Sequence, residues 1–291
     1  MTRDPNERTL RLALPKGRME RGVLALLAEA GIHVTHTARS YRPHVNLPRT
    51  EVKVLKPQSI VQMLDAGSRD VGFTGADWVA ELDGELVELL DTGLDPVRVV
   101  AAAPAEILRD GRLPGGPLTV ASEYERLSGR WIAEAGLTAR FVRSYGATEV
   151  FPPEDADVIV DNTATGSTLA ANGLEVVDEL MRSSTRLYAN PRALDVPAHR
   201  AAVEGLVMVL DSVLEARRRV MVEVNVSADR LAAVLEVLPC MRQPTVSPLA
   251  GDGGFAVKAA APRETLPGLV PRLKAAGGTD IVVSRLAQIV P

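Results

Sequence analysis

Residues 156–169 read ADVIVDNTATGSTL: a hydrophobic run ending in a carboxylate, a loop of small and hydroxyl residues, then a helix start. That order of residue types makes an anion cradle. Backbone N–H groups at a helix N-terminus point outward, the helix dipole favours negative charge, and Gly166 lets a phosphate approach closely. Thr165, Ser167 and Thr168 add hydroxyl donors, and each hydrogen bond to a charged oxygen is worth about 1.5–3 kcal/mol. Asp161 would repel a phosphate, so its place at the strand end suits sugar hydroxyls. The same residues would also serve an ordinary strand-to-helix turn with a Ser or Thr cap.

Three further clusters have residue types suited to chemistry. Gly72–Asp77 (GFTGAD) repeats the strand–turn–helix logic with two glycines, and by itself reads more readily as a turn than as a site. Lys16 and Arg18 lie in PKGR at the carboxyl end of the first predicted strand, where open α/β sheets bind ligands, and two cations there suit a pyrophosphate or a solvated turn. Glu149 is another strand-end carboxylate. Gly251–Ala256 (GDGGFA) matches the loose dinucleotide pattern but precedes a strand, which makes it a hairpin turn. His33 and His36 have an odd offset on a predicted strand and point to opposite faces, unlike a metal pair. Cys240, the single cysteine, reads as a small apolar residue in a helix-to-strand turn.

The elements that must position these residues follow from hydrophobic periodicity. Strands are predicted at Leu10–Pro15, Glu51–Leu55 and Asp70–Phe73. Helices are predicted at Met19–Gly31, from Pro57 to Gly67, and at Ala76–Leu82. The Gly- and Pro-rich stretch Arg109–Pro117 reads as a crossing between lobes. A second α/β unit then begins, with strands Leu118–Ala121, Ala139–Tyr145 and Ala156–Asp161, a helix Tyr124–Gly136 and another near Ser167. Two strands, Leu174–Leu180 and Thr185–Ala189, are expected to carry the chain back to the first lobe, followed by helix Pro197–Ala216. Such alternation implies mostly parallel sheet with helices on both faces. After a boundary at Arg217–Arg219 the pattern is βαββαβ, a ferredoxin-like unit, with strands Val220–Val226, Thr245–Leu249, Phe255–Ala260 and Asp280–Ile289. Its helices are predicted at Ala228–Leu238 and Glu264–Ala276.

The composition bounds the function. The 291 residues are 46% hydrophobic, which excludes disorder, and one cysteine excludes a disulfide scaffold. Net charge is −4, with 4 Phe, 2 Trp and 4 Tyr, so the chain lacks the basic footprint and stacking platforms of a nucleic-acid binder. No apolar run is long enough to span a bilayer, and Met1–Arg11 is polar and charged, unlike a signal peptide; a cytoplasmic protein is expected. The charge is uneven: residues from Ala216 onward carry +4 and the remainder −8.

Taken together, the loops resemble the ATP phosphoribosyltransferase family of histidine biosynthesis, in its long form with a C-terminal regulatory domain. The most specific match is Asp161-Asn162-Thr163-Ala164-Thr165-Gly166-Ser167-Thr168-Leu169 followed by Ala171-Asn172-Gly173-Leu174. Supporting it are Lys16-Gly17-Arg18, the turn from Asp70 to Asp77, Tyr145-Gly146-Ala147-Thr148-Glu149-Val150, and Leu238-Pro239-Cys240-Met241-Arg242-Gln243-Pro244-Thr245. Departures are Lys56-Pro57-Gln58-Ser59-Ile60-Val61, where the family commonly has Arg-Pro-x-Asp-Ile-Pro, and Thr163 and Ser167 in place of the usual Val and Thr.

The resemblance implies a bilobal, periplasmic-binding-protein-like α/β catalytic part with a C-terminal ferredoxin-like, ACT-like domain. Lobe I would hold residues 1–103 and 185–215, lobe II residues 104–184, and the regulatory domain residues 216–291. It implies attack of adenine N1 of ATP on C1 of phosphoribosyl pyrophosphate (PRPP), with pyrophosphate leaving. Ala164, Thr165, Gly166, Ser167 and Thr168 would hold the 5′-phosphate, and Asp161 with Glu149 the ribose hydroxyls. Lys16, Arg18, Thr74, Gly75 and Asp77 fall on the ATP and pyrophosphate side. Mg²⁺ would ride on the substrate phosphates, because the chain offers no dedicated metal cage. Histidine would inhibit between C-terminal domains of neighbouring subunits, with Glu223 and Thr245 as contacts, in a homo-oligomer, a dimer or a hexamer. The rival reading is a non-catalytic bilobal ligand-binding protein, which has no need of a PRPP loop faced by basic residues.

Overall fold

A computed structural model describes residues 9–35, 41–251 and 253–290, so His36 of the His33/His36 reading lies outside the described residues. The strands are β1 (Leu10–Pro15), β2 (Val34–Thr35), β3 (His44–Val45), β4 (Thr50–Leu55), β5 (Val71–Gly75), β6 (Val87–Pro104), β7 (Leu118–Ser122), β8 (Ala139–Arg143), β9 (Val158–Thr163), β10 (Leu174–Ala189), β11 (Arg219–Val226), β12 (Thr245–Pro248), β13 (Phe255–Pro262) and β14 (Thr279–Arg285). The helices are α1 (Arg18–Glu29), α2 (Pro57–Asp65), α3 (Ala76–Leu82), α4 (Glu125–Glu134), α5 (Ser167–Ala171), α6 (Pro191–Leu194), α7 (Pro197–Arg218), α8 (Leu231–Val237) and α9 (Leu266–Ala275).

The chain divides into two compact units. One takes in the chain up to Ala25 and Ile32–Glu204; the other comprises Leu26–Gly31 and Gly205–Pro291. The first unit is built on an eight-stranded sheet of order β4-β1-β5-β10-β6-β9-β7-β8. Two parallel blocks, β4-β1-β5 and β9-β7-β8, flank a central antiparallel pair. That pair is β6 and β10, of 18 and 16 residues, matched from Leu174 opposite Pro104 to Ala189 opposite Val87.

The two separate strands expected at 174–180 and 185–189 are therefore one continuous strand. Bulges break its register between Val176 and Asp178, between Glu179 and Met181, and between Ser183 and Thr185. Each bulge inserts an extra residue and disturbs the alternation that a period-2 reading depends on. Strand β14 likewise stops at Arg285, short of the predicted Ile289.

Burial explains why the parallel blocks form. Leu12, Leu14, Val71 and Phe73 of β1 and β5 are almost wholly buried, as are Ile60 and Leu64 of α2. In the other block, Val120, Val158 and Val160 pack with Tyr124, Leu127 and Trp131. Near-continuous apolar runs of this kind are expected of strands covered on both faces. Gly72 is required by packing: a Cβ there would lie 2.9 Å from Ile60 Cγ2 and 3.0 Å from Ala13 Cβ.

The second unit carries the antiparallel sheet β12-β13-β11-β14. Val220, Val222, Val224 and Val226 alternate inward from β11 and pack with Val234, Leu238, Leu269 and Leu273. The chain order β11-α8-β12-β13-α9-β14 is the βαββαβ order that the sequence predicts.

Candidate active site

The carboxyl ends of β9, β7 and β8 lie side by side and carry the anionic residues of the site. Strand β9 is fully buried through Val158, Ile159 and Val160, then emerges at the half-buried pair Asp161 and Asn162. Thr163 turns back inside, and the loop Ala164–Thr168 follows, with Ala164, Thr165, Ser167 and Thr168 exposed. Gly166 caps α5 with φ +81, a left-handed conformation that glycine adopts without strain. Its N–H donates to Thr163 Oγ1 at 2.9 Å, and the Ser167 N–H donates to Thr165 Oγ1 at 3.3 Å. The Thr165 and Ser167 hydroxyls are 2.9 Å apart. The hydroxyls and amides of the loop are thus bonded to one another, and beyond its two chain neighbours an added Cβ on Gly166 meets nothing within 4 Å.

Asp161 sits against this loop with its carboxyl pushed up to about 6. Burial is the main cause, and the negative charges of Glu149 and Glu123 push the same way. The Asn162 backbone N–H, 2.7 Å from Oδ1, and the positive charge of Arg18 oppose them. Glu149, Glu123, Arg18 and Asp161 thus share one electrostatic environment. Glu149 lies on the short helical turn Thr148–Val150, which is entered through Gly146 (φ +101) and Ala147 (φ +48). The buried Ser144 and Thr148 hydroxyls, 2.7 Å apart, tie the base of that turn. Glu123 was missed by the sequence reading. It follows β7 directly, so the rule that ligands bind at strand carboxyl ends would have found it.

The basic side of the site begins at β1. Lys16 is exposed at the strand end, with Nζ 3.1 Å from Tyr41 Oη and 4.8 Å from the ring centre. Arg18, also exposed, opens α1. Lys16 and Tyr41 line a pocket of about 340 Å³ together with Arg42, Lys53, Val54, Leu55 and Lys56. Four cationic side chains thus line one concavity. Arg42 and Lys53 belong to no local motif, which is why they escaped the sequence reading. Lys56 is the extended residue before Pro57, the proline that opens α2.

Thr74 and Gly75 close β5, and Asp77 lies in the first turn of α3. Thr74 is fully buried, and its Oγ1 donates to the Pro57 carbonyl at 3.1 Å. Asp77 is 2% exposed, with Oδ1 accepting from Ser183 Oγ at 2.7 Å and Oδ2 from Tyr124 Oη at 2.6 Å. A Cβ on Gly75 would reach Met19 Cε at 3.0 Å. The Thr74 hydroxyl and the Asp77 carboxylate are thus bonded to protein partners in the interior.

In the second unit, Glu223 of β11 and Thr245 of β12 are both in register with Lys258 of β13. Lys258 Nζ lies 3.1 Å from Glu223 Oε1. Thr245 and Lys258 line a pocket of about 330 Å³ with Met221, Cys240 and Arg242 among its other walls. A carboxylate, an ammonium and a guanidinium thus stand on one sheet face and its rim.

Among the described residues no group of three or more His, Cys, Asp or Glu is placed to hold a metal ion, and no helix is long and apolar enough to cross a membrane.

Comparison with known proteins agrees with this geometry. A family model described as "ATP phosphoribosyltransferase" matches residues 56–212, and one described as "HisG, C-terminal domain" matches residues 216–288. The chain is 36% identical over 289 residues to the ATP phosphoribosyltransferase of Pelotomaculum thermopropionicum, covering 97% of this chain and 99% of that one. It is 36% identical over 287 residues to that of Solibacter usitatus, with the same coverage of 97% and 99%. Among solved structures, a chain of the ATP phosphoribosyl transferase (HisG:HisZ) complex from Thermotoga maritima is similar with a TM-score of 0.63 at 28% identity, covering 71% of this chain and 99% of that chain.

Proposed function

The chain belongs to the ATP phosphoribosyltransferase family, and from that premise we propose how its own residues perform the transfer. The reaction joins N1 of ATP to C1 of PRPP and releases pyrophosphate, the first step of histidine biosynthesis. The C1–oxygen bond to pyrophosphate breaks as the N1 lone pair arrives, so positive charge builds on the ribose. What the protein supplies is placement of two polyanions and stabilisation of that charge.

The observation that supports our assignment of roles is the placement of Asp161 beside the hydroxyl loop, in one field with Glu149, Glu123 and Arg18. Thr165, Gly166, Ser167 and Thr168 take the 5′-phosphate, with Ala164 giving the loop its small profile. The Asp161 and Glu149 side chains accept from the ribose hydroxyls and stabilise the charge growing on the ring. Lys16 and Arg18 receive the pyrophosphate as it departs, and Arg42, Lys53 and Lys56 extend that basic surface to the ATP phosphates. Mg²⁺, when bound, neutralises pyrophosphate oxygens. The donor set fits an ion carried in on the substrate, since the acidic residues here are spread over separate strand ends and form no cage.

The C-terminal residues 216–291 are a regulatory domain on this reading, and lobes I (1–103 and 185–215) and II (104–184) bear the chemistry. Histidine inhibits by docking between C-terminal domains of neighbouring subunits in a homo-oligomer, its carboxylate and amine matched by groups near Thr245 and Glu223. Inhibition at a distance requires two global states that differ in affinity for histidine. The protein works in the cytoplasm.

The test mixes purified protein with ATP, PRPP, Mg²⁺ and a pyrophosphatase and follows phosphoribosyl-ATP by its absorbance. Absence of product would overturn the assignment. Inhibition by histidine that survives deletion of the residues after Ala216 would overturn the regulatory reading alone.

A further inference from the structure

Asn162 stands between the proposed ribose contact and a chain of buried hydrogen bonds that the transfer itself does not call for. The chain starts at Ser183 in the middle of β10, whose Oγ donates to Asp77 Oδ1 at 2.7 Å. Tyr124 Oη donates to Asp77 Oδ2 at 2.6 Å, and Asn162 Nδ2 donates to Tyr124 Oη at 3.0 Å. Tyr124 is fully buried and stacked on Trp78, ring centres 4.7 Å apart, so its hydroxyl has one available position.

The direction of each bond is fixed by the chemistry. The phenol carries a single proton, and it is donated to Asp77 Oδ2. Burial, and after it the Asp77 charge, push the phenol well above its ordinary range and keep that proton in place. Tyr124 Oη is then left as an acceptor, which forces Asn162 to present its NH₂ side and not its carbonyl. That NH₂ also lies 3.4 Å from Asp161 Oδ1, the same oxygen that receives the Asn162 backbone N–H at 2.7 Å. Oδ1 is thus held from two sides by one residue. Among the described residues no donor reaches Oδ2, the oxygen left for a ligand.

We propose that Asn162, locked in orientation by Tyr124, is a positioning residue that decides which oxygen of Asp161 meets the ribose. This rests on the reading of Asp161 as a ribose contact. An aspartate at position 162 would set two carboxylates side by side and place an acceptor against Tyr124. A leucine there would leave Asp161 tethered by the backbone alone.

The test compares Asp161→Asn, Asn162→Leu, Tyr124→Phe and the double variant N162L/Y124F, with kcat/KM measured for PRPP and for ATP separately and thermal midpoints recorded. Asn162→Leu and Tyr124→Phe are each expected to lower kcat/KM for PRPP tenfold or more, with KM for ATP changed less than twofold. The double variant is expected to fall no further than the weaker single variant, because both break one chain. Additive losses, or a KM for ATP that rises as much as the KM for PRPP, would assign Asn162 a merely structural role and overturn the proposal. So would Asn162→Leu retaining PRPP efficiency within twofold while Asp161→Asn loses it. If Asp161→Asn is itself harmless, the ribose reading fails first. Should Tyr124→Phe not fold, the Asn162→Leu comparison decides alone.

Discussion

The Gly166 N–H donates to Thr163 Oγ1 at 2.9 Å, so the hydroxyl loop closes on itself before any anion arrives. Thr163 is 8% exposed at the end of a buried strand, and its hydroxyl is therefore a fixed post. The sequence alone suggested amides pointing outward to a phosphate. In the structure the Gly166 and Ser167 amides face hydroxyls of their own loop, which pre-organises it and lowers the entropy to be lost on binding.

Gly166→Val is expected to fold and to lose PRPP binding. The φ of +81 makes a β-branched residue unfavourable there by about 1–2 kcal/mol, while the added atoms meet open space. Calorimetric titration with PRPP and a thermal melt check both halves. Near-normal PRPP affinity would show that the phosphate does not sit beside Gly166.

Asp161→Asn is expected to stabilise the unliganded protein at pH 7 while lowering kcat/KM for PRPP at least about a hundredfold. The wild-type carboxyl titrates at about 6 in the fold, against 3.8 for an aspartate side chain in water. Between those values the folded state binds more protons than the unfolded one, so stability falls as pH rises through that window and stays lowered above it. Relief of the buried charge is worth about 1–3 kcal/mol at pH 7, shrinking to about 0.5 kcal/mol as pH falls to 4. Urea unfolding at both pH values measures it, and a destabilised variant at pH 7 would contradict the electrostatic account.

Lys53→Ala and Lys56→Ala are each expected to weaken ATP and pyrophosphate binding roughly tenfold or more, since a charge-assisted hydrogen bond contributes about 1.5–3 kcal/mol. Both residues line the basic pocket with Lys16. Product inhibition by pyrophosphate is the direct readout, and its salt dependence should flatten in the variants. Unchanged inhibition would move the polyphosphate elsewhere.

Glu223→Gln is expected to abolish the rise in melting temperature that histidine produces. A ligand at a hundred times its Kd stabilises by about 2.7 kcal/mol, which a thermal shift resolves easily. The exposed Glu223–Lys258 pair contributes little to stability by itself, at most about 1 kcal/mol, so the baseline melt should barely move. A wild-type histidine shift in this variant would remove Glu223 from the inhibitor site.

Strands buried on both faces and the alternating valines of β11 were legible because one periodicity governs each of them. The long strands β6 and β10 were not, because their bulges displace the alternation every few residues. The hydroxyl loop around Gly166 and the strand-end acid Asp161 were legible from residue type and order. What packs on Gly72 was not: GFTGAD announces a close approach at its glycines without saying what approaches, and at Gly72 it is the protein's own core, Ile60 and Ala13. Lys53 was invisible for another reason, since it nears Lys16 only through the β1–β4 pairing, and Arg42 is brought there beside Tyr41, whose carbonyl accepts from the Val54 N–H at 3.0 Å.

The central pair β6 and β10 also imposes an order of events on the nascent chain. Strand β5 ends at Gly75 but its antiparallel partner is Thr185–Ala189, so one side of the first block waits for roughly a hundred further residues to be synthesised. At about 5–20 residues per second that is an interval of several seconds to tens of seconds, during which β5 is an unpaired apolar edge. Aggregation during synthesis should begin from ribosome-bound fragments ending between β6 and β10, and should cease once Ala189 has emerged.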